Sequence, residues 1–71
     1  MQLYEVYIDG NEYFCQLRFI MAIILELNLH CQLLTKIKNA STRFGFGTFS
    51  LEEAEMITCL LIRLKVPFEC D

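Results

Sequence analysis

Hydrophobic residues recur along this chain with two different periods, and the switches between them mark its elements. Over 3–8, Tyr4, Val6 and Ile8 alternate with Leu3, Glu5 and Tyr7, the two-residue period of a strand. Asp9-Gly10-Asn11 is turn chemistry, with Asn11 placed to cap the next element. From 12 to 26 the period lengthens: Tyr13, Leu17, Ile20, Met21 and Ile24 form one buried helical stripe. A second apolar stripe, Cys15, Phe19, Ala22 and Ile23, runs beside it, interrupted only by Gln16, Arg18 and Glu26. Asn28 stands where it can cap a second helix over about 29–38. Leu29, Leu33, Leu34 and Ile37 supply its apolar side, and Lys36 and Lys38 near its end suit the helix dipole.

Residues 43–49 return to alternation, with Phe44 and Phe46 on one side and Gly45 and Gly47 on the other. Ser50-Leu51-Glu52-Glu53 has the form of a capping box, so a third helix starts at 51 and buries Ala54, Ile57, Leu60, Leu61 and Leu64. Pro67 cannot continue it. Val66, Phe68 and Cys70 then alternate as a short last strand, which Pro67 places at a sheet edge. The expected fold is α+β, in the order β-α-α-β-α-β. A three-stranded sheet carries three helices packed on one face, and its other face stays open. All 71 residues belong to one domain.

Composition narrows the class. A chain of 71 residues that is 55% hydrophobic and 21% charged is not disordered, since disorder combines low hydrophobicity with high net charge. At this length only about 60% of the unfolded surface is buried on folding, so a second domain has no room. The net charge of -3 comes from 9 acidic and 6 basic residues. With no basic run to neutralise phosphates, nucleic acid is not an expected partner. The longest apolar run, Phe19–Leu25, is far short of the roughly 20 residues of a membrane span. The opening Met1–Glu5 has no basic segment, so the expected location is cytoplasmic. Cys15, Cys31, Cys59 and Cys70 show no C-x-x-C spacing and are expected to be buried, reduced thiols.

Catalytic chemistry finds no foothold. His30 and Cys31 are sequence neighbours, which do not face each other on a helix, and no nucleophile, base and orienting group can be assembled. No catalytic residue, metal site or cofactor is expected. Glu52, Glu53 and Glu55 suit the start of a helix. Lys36, Lys38 and Arg43 are the only basic cluster. Asn39-Ala40-Ser41 fits a glycosylation sequon, unused without an export signal.

The stretch Phe49-Ser50-Leu51-Glu52-Glu53-Ala54-Glu55 through Val66-Pro67-Phe68-Glu69-Cys70 resembles the C-terminal domain of the ribosomal stalk protein. There, a Val-Ser-x-Asp-Asp-Ala-Glu helix leads to a closing strand. Leu27-Asn28-Leu29 is similar to the stalk domain's Gly-Leu-Gly-Leu break. Gly47-Thr48-Phe49-Ser50 and Pro67-Phe68-Glu69-Cys70 also resemble segments of the ClpS-type N-degron adaptors, which share that fold. The stalk resemblance implies recruitment of translation GTPases through Phe14, Cys15, Arg18, Phe19, Ala22 and Leu33, of which only Arg18 is basic. The adaptor resemblance implies a degron pocket at Asn11, Glu12 and Asn39.

The leading functional expectation is a small stand-alone protein–protein interaction module, acting as adaptor, inhibitor or assembly factor on a larger machine. Its interface is Cys15, Phe19, Ala22 and Ile23, contacting a protein partner or a second copy. A Clp-protease adaptor or translation-factor binder is the alternative, and a small thiol or metal-binding protein is a third.

Overall fold

The computed structural model describes residues 2–71. The elements run β1 (Tyr4–Asp9), α1 (Phe14–Glu26), β2 (Gln32–Lys38), β3 (Ser41–Thr48), α2 (Leu51–Arg63) and β4 (Phe68–Cys70). The four strands form one sheet in the order β2-β3-β1-β4, antiparallel throughout. Each helix therefore connects two strands that flank a third, the split β-α-β arrangement of ferredoxin-like folds.

This corrects the expected β-α-α-β-α-β order: the sheet has four strands and the chain two helices. The segment taken for a second helix is β2. Leu29, Leu33 and Ile37 are spaced by four, and a spacing of four is compatible with both periods. Cys31 and Thr35 fill the intervening even positions, and Thr35 and Ile37 are β-branched, which favours a strand. A two-residue turn then returns the chain into β3, pairing Lys38 with Ser41. Asn39 and Ala40 take φ of 53° and 62°, the double left-handed conformation of a type I′ hairpin.

Asn28 does not open a helix; it closes one. It has φ 57° and donates to Leu25 O, while Leu29 N–H donates to Ile24 O. That pair of bonds is a Schellman termination. Lys65, with φ 58°, ends α2 in the same way, through Lys65 N–H to Ile62 O and Val66 N–H to Leu61 O.

Asn11 does not cap α1. The Asp9 carboxylate instead accepts the Asn11 and Glu12 amides at 2.9 and 3.2 Å. Ser50 does cap α2, its Oγ accepting Glu53 N–H at 3.3 Å. The reciprocal arm of the box is diverted, because Glu53 Oε2 accepts the His30 amide at 2.6 Å. That bond fastens the α1–β2 connection to the start of α2.

The core lies between the helices and one face of the sheet. Val6, Ile8 and Phe46 meet Ile20 and Ile24 of α1 and Ile57 and Leu61 of α2, with Val66 closing the end. Tyr13, Leu17 and Met21 pack against this cluster, so the expected α1 stripe does face the sheet.

The opposite face of the sheet carries no helix, as expected, and is lined by the strands' own side chains. Gly45 and Gly47 leave a track along β3 with no side chains. Tyr7 lies across Gly45, where even a methyl group would collide with its ring. Leu3 and Leu34 cover Gly47. Lys36 spans this layer, its Nζ 4.1 Å from the Tyr7 ring centre, and pairs with Asp71. Glu69 takes Lys38 at 3.3 Å and Arg43 at 3.1 Å. The expected basic cluster is thus matched by carboxylates.

Candidate functional site

With paired ions along its helix-free sheet face, the molecule presents its apolar surface on the helical layer. The core-facing side of α1 is fixed by Ile20 and Ile24, so a 100° step per residue puts Cys15, Arg18 and Ala22 on the far side. The structure leaves these three exposed. Phe14 and Phe19 rise beside them, 63% and 70% exposed. Together the five line an open hollow along the outer side of α1.

Of the four expected interface residues, Cys15, Phe19 and Ala22 lie on this surface. Ile23 is half-buried and turns into the groove between the helices, beside Leu27, Met56, Cys59 and Leu60. The four expected residues are thus divided between the outer side of α1 and the groove between the helices. Phe14 and Leu25 belong to the same surface, Leu25 being 74% exposed. Sequence reasoning gave Phe14 a place only through the resemblance and omitted Leu25. Both lie just outside the stripe chosen, and their exposure follows from their angle on α1, turned away from Ile20 and Ile24.

Charge divides the two broad faces. The sheet face holds paired ions. On the helical layer, Arg18, Glu26, Glu52, Glu55 and Arg63 take part in none of the ion pairs among the described residues. An apolar surface dotted with unmatched charges of both signs is suited to a complementary protein surface.

The expected pocket residues stand at one end of the sheet. Asn11 and Glu12 occupy the turn after β1, and Asn39 the β2–β3 hairpin. A small polar hollow at that end takes Glu12 together with Asp9, Tyr13, Arg43 and Glu69. Asn11 and Asn39 are not among its walls, so the three residues do not form one pocket.

The cysteines are free, but they are not buried as expected. Cys15, Cys59 and Cys70 are exposed and Cys31 is half-buried. Cys15 and Cys59 sit opposite the core-facing positions of their helices, and Cys70 ends an edge strand. Burial pushes the Cys31 thiol above its ordinary range, with the nearby Glu53 charge adding to the effect and a Gly47 backbone hydrogen bond opposing it. No three His, Cys, Asp or Glu side chains come together to hold a metal among the described residues. No helix among them is long and apolar enough to cross a membrane.

Comparison with protein-family models, curated proteins and solved structures gives no match to the chain. The strand order alone supplies the fold description, and a fold of this kind hosts many unrelated functions.

Proposed function

We propose that this chain is a small non-catalytic interaction module that docks on a larger protein assembly through the outer side of α1, as an adaptor, inhibitor or assembly factor. The observation that carries this reading is the pair Phe14 and Phe19, 63% and 70% exposed on a helix whose opposite side packs Ile20 and Ile24 into the core. Phenylalanine is enriched at the centres of interfaces. Fully burying such a side chain yields about 1.5–3 kcal/mol, so two of them are enough to anchor a partner. The polar sheet face supports the same reading, since it leaves the helical layer as the broad apolar surface. Cys15 and Ala22 floor the hollow and Ile23 extends it toward α2.

The test is the double change Phe14→Ser and Phe19→Ser. Surface substitutions of this kind leave stability within about 0.5 kcal/mol, so circular dichroism and the melting curve should match the wild type. Capture of the partner from native extract should be lost. A variant that unfolds would make these residues core, and one that folds and still captures the same partner would remove α1 from the interface.

A further inference from the structure

Arg18 and Glu26 are the only charged residues of α1, and they lie eight residues apart with Ala22 midway. Arg18, Ala22 and Glu26 thus form one i±4 row, the kind of ridge through which two helices most often pack. All three are exposed, and neither charge is in an ion pair among the described residues. Read in reverse about Ala22, the row is its own electrostatic complement: positive meets negative at both ends. Phe19 and Leu25, 70% and 74% exposed, flank it on either side.

We propose that the occupant of this face is a second copy of the chain, related by a two-fold axis at Ala22, with the two α1 helices crossing antiparallel. Arg18 of each protomer then meets the partner's Glu26. Ala22 lies against its own counterpart, where a small side chain lets the backbones approach. Cys15, Phe19 and Ile23 form the adjacent row that packs alongside.

A two-fold interface requires such self-complementarity, because each residue contact occurs twice. The dimensions agree. The molecule is a slab of 30 × 26 × 16 Å, and its broad helical side offers a footprint of about 800 Å², the share each partner gives to a standard interface. This inference rests on the reading above that the outer side of α1 is covered by protein, and it puts a second copy in place of the larger assembly as what covers it.

Sedimentation velocity over a concentration series, with reductant present, tests it on the wild type, Arg18→Glu, Glu26→Arg and the double exchange. Each single reversal places like charges together at two symmetric positions. Each should weaken the dimer on the order of tenfold, and the double exchange should restore it. Circular dichroism on the same samples shows whether each variant keeps the fold. A wild type that stays monomeric throughout overturns the second copy; the docking face still stands if the Phe14 and Phe19 variant loses a different partner. A dimer indifferent to both reversals overturns the α1 crossing.

Discussion

At the residue scale, the side chains that hold this fold are often those standing next to glycine. Tyr7 is 5% exposed although it sits on the outer sheet face, because Gly45 leaves room beneath its ring and Lys36 covers it. Its hydroxyl donates to Glu5 Oε1 at 2.6 Å. That bond, aided by burial and the nearby Glu5 and Asp71 charges, pushes the Tyr7 pKa up to about 12 from 10.0. The folded state therefore holds this proton more tightly than the unfolded chain does. Its stabilising effect is complete below pH 10 and is lost as pH rises toward 12. Tyr7→Phe should lower stability at neutral pH by about 1 kcal/mol for the lost hydrogen bond. Denaturant midpoints measured across pH 9–12 should fall more steeply for the wild type than for this variant. Parallel curves would mean that the Tyr7 proton is not held by the fold.

At the element scale, the hairpin decides the topology. A strand over Gln32–Lys38 needs residues 39 and 40 in left-handed conformation, which Asn tolerates and Ala does not favour. Ala40→Gly should therefore stabilise the protein by about 0.4–1 kcal/mol, raising the melting temperature by roughly 2–6 °C at this size. An unchanged or lowered melting temperature would mean that residue 40 is not held in the left-handed conformation.

Much of the chain was legible from its period. The alternation at Tyr4, Val6 and Ile8, the stripe from Tyr13 to Ile24 and the Ser50 cap each mark an element that the structure contains. Residues 29–38 were not legible in that way. Leu29, Leu33 and Ile37 satisfy both periods, and Asn28 and Asn39 serve equally well as caps or as left-handed residues. Only the hairpin turn, missed in Asn39-Ala40, separates the possibilities. The cysteines misled for a related reason: a general preference for burial says nothing about which side of a helix a given cysteine occupies. Part of the candidate site was visible beforehand, since two apolar stripes cannot both face one core. Leu25, and Phe14 apart from the resemblance, were missed because the two stripes chosen leave out the flank of α1 on which both stand.

At the scale of the whole molecule, the two broad faces differ in kind. One carries Tyr7, Leu34 and a set of matched ions; the other carries exposed phenylalanines and unmatched charges. On the proposal above, this helical side is covered when the protein works. Radical footprinting tests that by comparing the chain in native extract with the dilute purified chain. Labelling should be lost at Phe14, Phe19 and Leu25, with Leu34 on the sheet face unchanged. Protection confined to the sheet face, or no protection on α1, would contradict it.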